Sequence, residues 1–202
     1  NNTYIPDVLA VAKVYSDYFE IGKGCGQYMS YGNWDLDSNA DLMKRARLMP
    51  HGTLDGNTLK VGDLDPSKIT EQVKHSWYKS ASNLPPSKGE TEADPKKPGA
   101  YSFLKAPRYS GDVYEVGPLA RVLIAYLKGN ETVKTQVDGA LSALDAEVPA
   151  LLSVLGRHAA RAIECKIVAD AMSDWLLQLT PGEESCAKYE MPQEGSGMGL
   201  AE

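Results

Sequence analysis

Residues 149–179 read Pro149-Ala-Leu-Leu-Ser-Val-Leu-Gly-Arg-His-Ala-Ala-Arg-Ala-Ile-Glu-Cys-Lys-Ile-Val-Ala-Asp-Ala-Met-Ser-Asp-Trp-Leu-Leu-Gln-Leu179, and the spacing within them settles much of the architecture. Leu151, Leu155, His158, Ala162, Cys165, Ala169, Met172, Leu176 and Leu179 recur in alternating steps of four and three. Such a rhythm lines up one seam of a long α-helix, about 45 Å at 1.5 Å per residue. Val154, Val168 and Trp175 widen the seam on one side, with Arg161 among them. The small residues Ala159, Ala160 and Ala162 permit a close helix–helix approach. Thr180-Pro181-Gly182 stops the helix.

Upstream, Thr132–Asp145 carries Val133, Val137, Ala140, Leu141 and Leu144 and is predicted to pack back on the long helix. Pro118 opens another helix through Leu119, Val122, Leu123, Tyr126 and Leu127 to Gly129. Near the start, Pro6 and Asp7 open a helix bearing Val8, Leu9, Val11, Ala12, Val14, Tyr15 and Tyr18, and Gly22 ends it. Gly22-Lys-Gly-Cys-Gly26 has the look of a phosphate loop. It is too short for that motif, and the strand-like Gln27–Trp34 follows it, so it reads as a helix stop and turn.

Residues 46–64 are predicted to form a β-hairpin turning at Asp55-Gly56-Asn57. Asp65 and Pro66 read as the N-cap and first residue of a further helix, with Ile69, Val73 and Trp77 as its apolar stripe. Lys79–Gly99 is a long loop of a kind that is usually functional, covered by a partner or mobile. A second hairpin joins Tyr101–Tyr109 to Val113–Val116 through Ser110-Gly111-Asp112. The expected fold is therefore mainly α: a helical bundle around a long central helix, about 149–179, with small β-hairpins. Four stretches follow along the chain, a first half 1–78, a loop 79–100, a helical second half 101–182 and a tail 183–202.

Of the 202 residues, 43% are hydrophobic and 24% charged, which excludes a disordered or collagen-like chain. Lys and Arg number 21 against 27 Asp and Glu, giving net −6. That balance disfavours nucleic acid or an anionic membrane as partner, because phosphate needs a basic face. The longest apolar stretches, such as Leu119–Leu127 and Pro149–Leu155, fall far short of the about 20 residues that span a bilayer. Asn1–Pro6 shows no signal peptide, and both ends read as cuts.

Cys25, Cys165 and Cys186 are odd in number and widely spaced, which argues for free thiols, Cys165 being buried, and against a self-contained metal site. Acidic residues are scattered, so solvated charge describes them better than an acid–base pair. His51, His75 and His158 lack metal-ligand spacing. His158, on the seam beside Arg157 and Arg161, reads as a buried, hydrogen-bonded histidine. His75 and Trp77 stand at the exit of the helix opened by Asp65, a cation favoured by the dipole and an apolar anchor. No complete active site is present in these residues.

Four strings point further: Val73-Lys-His-Ser-Trp-Tyr78, Leu104-Lys-Ala-Pro-Arg-Tyr109, Glu115-Val-Gly-Pro-Leu-Ala-Arg121 and Leu155-Gly-Arg-His-Ala-Ala-Arg161. Together with Tyr4-Ile-Pro-Asp-Val-Leu-Ala10 and the closing Gly197–Glu202, they resemble the large subunit of [NiFe] hydrogenases of the respiratory uptake type. The resemblance implies a central portion of a larger α+β subunit that splits H2 heterolytically. It implies a nickel–iron centre with carbonyl and cyanide on iron, held by two C-x-x-C pairs that this chain lacks. It also implies a small subunit carrying iron–sulfur clusters, a location in the periplasm or on the periplasmic face of the membrane, and no metal ligand or catalytic residue among these 202 residues. His75, Trp77, Arg108 and Tyr109 become partner-interface candidates, and Arg157, His158 and Arg161 buried structural ones. The alternatives are the related nickel-free, quinone-reducing subunit of respiratory complex I and a non-catalytic helical binding module. The Ala-Pro-Arg-Tyr and Gly-Arg-His-Ala-Ala-Arg strings favour hydrogenase.

Overall fold

The structure, a computed structural model, describes residues 4–186 and 188–201; Asn1–Thr3, Ala187 and Glu202 lie outside that description. Four α-helices are described: α1 (Tyr4–Val14), α2 (Pro118–Leu127), α3 (Glu131–Leu144) and α4 (Val154–Leu177). Eight short strands are β1 (Gln27–Ser30), β2 (Asn33–Asp35), β3 (Arg47–Met49), β4 (Gly52–Asp55), β5 (Lys60–Gly62), β6 (Ile69–Gln72), β7 (Asn83–Leu84) and β8 (Ala106–Tyr109). They form three antiparallel sheets, ordered β1-β4-β5, β2-β3 and β7-β6-β8. Helices and small sheets share the architecture, so the described residues are mixed α and β more than a bundle with hairpins attached.

The core is built around α2, which follows Pro118 as the sequence predicts. Every residue from Leu119 to Ala125 is buried, because α2 is enclosed by α3, α4 and the β1-β4 sheet. Asn130 caps α3 by accepting from the Val133 amide at 3.1 Å, and Val133, Val137 and Leu141 face the same core. That helix and its packing on α4 match the expectation.

The long helix starts later than its periodicity suggests. Val148–Leu151 is a 3-10 turn, and Ser153 is the N-cap of α4, its hydroxyl accepting from the Gly156 amide at 3.1 Å. The buried stripe is Gly156, Ala160, Glu164 and Ile167. A Cβ on Gly156 would stand 1.9 Å from the Leu151 carbonyl oxygen, so the junction closes only over glycine. Cys165, Ala169, Met172 and Leu176 of the predicted seam are exposed, and so are His158 and Arg161. Backbone approach over the small residues and an ion pair through Glu164 set the orientation of α4. From Cys165 onward the predicted seam has no covering element among the described residues.

Other differences are local. Asp65 does cap Pro66, accepting from the Ser67 amide at 3.0 Å, but the result is one 3-10 turn, after which the chain extends into β6. Ile69, Thr70 and Val73 are β-branched and favour extended backbone, and β6 gains a partner in β8, with Ile69 opposite Tyr109. The β4-β5 hairpin turns where expected, with Leu54 opposite Val61. In the second hairpin the turn exists, with Ser110 and Gly111 at positive φ and a bridge from Tyr109 to Asp112. Its second arm does not: residues 113–116 reach across to β1, where the Met29 amide donates to the Glu115 carbonyl at 2.9 Å.

Candidate functional site

After β6 the chain turns sharply. The Lys74 amide donates to Gln72 Oε1 at 2.9 Å, and the Ser76 amide to the Val73 carbonyl at 3.1 Å. His75 and Trp77 ride on this turn, so no helix dipole acts on His75. The His75 ring stacks on Tyr101, centroids 6.0 Å apart, and its Nδ1 lies 3.2 Å from the Gly99 carbonyl oxygen. The Trp77 and Phe103 rings meet edge to face at 4.8 Å. The Tyr78 hydroxyl donates to the Phe103 carbonyl at 3.0 Å, and Lys105 stands over the Tyr78 ring.

The outer surface of this cluster is apolar and open: Tyr101 is 75% exposed, Phe103 51% and Leu104 78%. Scattered exposed apolar residues are ordinary, but a contiguous aromatic group marks an interaction surface. The structure thus brings His75 and Trp77 together and adds Tyr101, Phe103 and Leu104, which sequence reasoning missed. Their signal was the alternation Tyr101-Ser102-Phe103, which puts both rings on one face of extended chain.

The other two interface candidates separate. Arg108 is half-buried on β8 and donates to the Pro107 carbonyl at 2.7 Å. Tyr109 is a core residue, only 6% exposed; its ring packs edge-on against Tyr114, and its hydroxyl accepts from the Asp65 amide at 3.0 Å. An interface role for Tyr109 is therefore corrected: the alternation of β8 turns it inward.

Of the three expected buried polar residues on α4, only Arg157 is tied in. Its Nε and Nη2 donate to the two Glu115 oxygens at 2.7 and 2.6 Å, and its Nη1 donates to the Gly22 carbonyl. The Glu115 hydrogen bonds raise the Arg157 pKa above its already high value, so its charge is fixed. Tyr28 lies beside this pair, its hydroxyl donating to the Lys23 carbonyl at 3.0 Å, and burial followed by the Glu115 charge pushes its pKa up. A second pair went unforeseen. Arg121 on α2 grips Glu164 on α4 with two hydrogen bonds, Nη2 to Oε2 at 3.0 Å, and both side chains are about nine-tenths buried. Sequence reasoning treated acidic residues as solvated, and nothing local to Glu164 identifies a partner 43 positions away.

A third charged group is satisfied within itself. Asp35 accepts from Arg45 at 2.6 Å and from Arg47 at 2.8 Å, and these hydrogen bonds, that of Arg47 first, hold its carboxyl below the usual range. Arg47 also donates to the Tyr31 and Leu42 carbonyls.

A nickel site of soft donors needs thiolates that converge. Cys25, Cys165 and Cys186 are each free and exposed, which corrects the expected burial of Cys165. Among the described residues no three His, Cys, Asp or Glu side chains stand close enough to hold a metal ion. The residues present do not fit such a centre, and no chemical step passes through one here.

Comparison with known proteins places this geometry in context. A family model described as nickel-dependent hydrogenase matches residues 1–202. The chain is 34% identical to the uptake hydrogenase large subunit of Rhodobacter capsulatus, covering 100% of this chain and 39% of that relative. It is 35% identical to the periplasmic [NiFeSe] hydrogenase large subunit of Desulfomicrobium baculatum, covering 98% and 39%. Among solved structures, the Ni-Fe-Se hydrogenase from D. vulgaris Hildenborough in its as-isolated oxidised state superposes with a TM-score of 0.72. The identity there is 32%, over 94% of this chain and 39% of that one. The chain thus spans about two fifths of the length of these relatives.

Proposed function

Because the chain belongs to the nickel-dependent hydrogenase family, we propose that it acts as part of a hydrogenase large subunit, in an assembly that converts H2 to two protons and two electrons. A nickel–iron centre with carbonyl and cyanide on iron would supply the chemistry of H2 cleavage. On this reading its cysteine ligands belong to C-x-x-C pairs outside these 202 residues, in keeping with a chain whose own thiols stand apart. The partner is a small subunit whose iron–sulfur clusters take up the electrons. The assembly works in the periplasm or on the periplasmic face of a membrane; among the described residues no helix is long and apolar enough to cross one. The exposed seam of α4 is the face on which further helices of a larger α+β subunit pack.

The contribution of this chain is the His75 face. The observation that carries it is the open aromatic cluster in which Tyr101 and Phe103 pack on His75 and Trp77 of the turn. Trp and Tyr anchor interfaces because they bury large area at small entropic cost. An imidazole N–H near a cluster stabilises the reduced, more negative state and so raises its potential. Arg108, opposite Thr70 in the β6-β8 pair, is a further candidate contact for the partner.

Replacing Trp77 with Ala in the heterodimer should weaken subunit association by about 2 kcal/mol, the effect of losing a central aromatic anchor. Replacing His75 with Ala should lower the potential of the nearest cluster with little change in affinity. Redox titration and subunit titration read the two effects separately. If neither quantity moves in either variant, the docking face lies elsewhere.

A further inference from the structure

Lys97 sits half-buried within segment 79–100, and its Nζ donates to three backbone carbonyls: Val73 at 2.9 Å, Tyr78 at 2.8 Å and Ser80 at 2.6 Å. An ammonium has three N–H donors, so the set is complete, and every acceptor is a neutral carbonyl. Val73 lies before the turn that carries His75 and Trp77; Tyr78 and Ser80 lie after it. One nitrogen therefore gathers both sides of the turn.

The backbone around Lys97 runs the same way. The Asp94 amide donates to the Trp77 carbonyl at 2.8 Å, and the Lys79 amide to the Glu92 carbonyl at 3.0 Å. The Trp77 amide donates to the Ser102 carbonyl at 2.9 Å, and the Tyr101 amide to the His75 carbonyl at 3.1 Å. Segment 92–102 is thus a strap laid along 75–79, with Lys97 as its fastening. We propose that Lys97 is a positioning residue, whose ammonium in the three-carbonyl cradle locks the strap onto the turn and fixes the orientation of His75 and Trp77. The functional half of this rests on the docking role of the His75 face; the latch itself does not.

The chemistry of the cradle is selective. Three carbonyls converge on a point, which suits a compact ammonium. A guanidinium spreads its donors in a planar fork and cannot aim three of them at one place. Methionine keeps the length and apolar stem of lysine but supplies no donor.

In the unmodified chain, brief acylation with an amine-reactive ester should label Lys97 at least about tenfold more slowly than its exposed neighbour Lys96, because reaction requires the three charge-assisted bonds to open first. Equal rates would overturn the latch without any variant being made. Hydrogen exchange on Lys97→Met should then show the Trp77, Lys79, Asp94 and Tyr101 amides exchanging about tenfold faster or more, as in local opening, while α2 amides keep their protection. Lys97→Arg should behave like Lys97→Met, and Lys96→Met like the unmodified chain. Unchanged exchange in Lys97→Met sinks the proposal. A general loss of α2 protection also sinks it, since Lys97 would then support the whole fold and not one strap. In the heterodimer, Lys97→Met should move the potential of the nearest cluster in the same direction as His75→Ala. A loosened strap with an unmoved potential and unmoved affinity leaves the latch standing and overturns the docking role of the face.

Discussion

Helices α2 and α4 lie against each other, yet they are held in opposite ways. Seven consecutive residues of α2 are buried, so it is enclosed on every side by elements of this chain. Only one narrow stripe of α4 is fully buried, and beyond Ile167 several apolar side chains stand in the open: Met172 is 59% exposed and Leu176 67%. Burial around α2 comes from large aliphatic side chains. The stripe of α4 consists of a glycine, an alanine, a glutamate and one isoleucine. A helix can thus be central by volume, like α2, or joined through a few specific contacts that leave its greasiest face unspent, like α4.

The contact that should matter most is the buried pair between them. Arg121→Met removes the guanidinium that both Glu164 oxygens accept from, and leaves a carboxylate in a buried site. The expected loss is about 3–5 kcal/mol of unfolding free energy, the cost of breaking a buried pair from one side. Urea midpoints of the 202-residue chain measure it. Adding Glu164→Leu to Arg121→Met should recover a large part of that loss, because an apolar replacement of both partners removes the stranded charge. No recovery in the double variant would mean that the helices are joined by something other than this pair.

Gly156→Ala tests the other half of the joint. A methyl group there meets the Leu151 carbonyl oxygen and carbon at 1.9 and 2.3 Å, atoms of backbone that cannot swing aside. The start of α4 must shift, at a cost of about 3 kcal/mol by analogy with overpacked cores. Ser153→Ala is milder. It removes the cap from one amide of the first turn and should cost about 1 kcal/mol. If Gly156→Ala proves as mild as Ser153→Ala, the close approach is not what fixes the helix.

How much of this was legible beforehand differs between the same two helices. Pro118, the apolar run behind it and Gly129 announce α2 completely, since start, stop and burial are all written locally. The existence of α4 was equally plain, but its inward face was not. The four-three rhythm reports which face wants cover, and the covering element need not belong to the same stretch of chain. Nothing local marks Glu164 as a core residue, since its partner is 43 positions away, and the helix cap at Asp65 hides β6, which is extended because it pairs with β8. At the candidate site, the His75 and Trp77 types and order carried the signal. Their companions Tyr101 and Phe103 and the fastening Lys97 came into view only when the strap had been folded over them.

The smallest expected effect bears most directly on the contrast between the helices. Met172→Ser with Leu176→Ser replaces two exposed seam residues near the end of α4. In the 202-residue chain these side chains bury little, so the pair should change the unfolding free energy by within about 0.5 kcal/mol, as surface substitutions do. His158→Ala, on the same exposed face, should be equally quiet. Val122→Ser and Leu123→Ser in α2 are the matched comparison, since Val122 is 1% exposed and Leu123 0%. Each of those should cost several times more, from lost burial and from placing a hydroxyl in the core. Chemical denaturation of the three single variants and the seam pair, at one protein concentration and then at tenfold dilution, reads out the contrast. A seam pair that costs as much as one α2 variant at both concentrations would mean that the seam is packed inside the chain. A cost that vanishes on dilution would mean that copies of the chain cover the seam for one another.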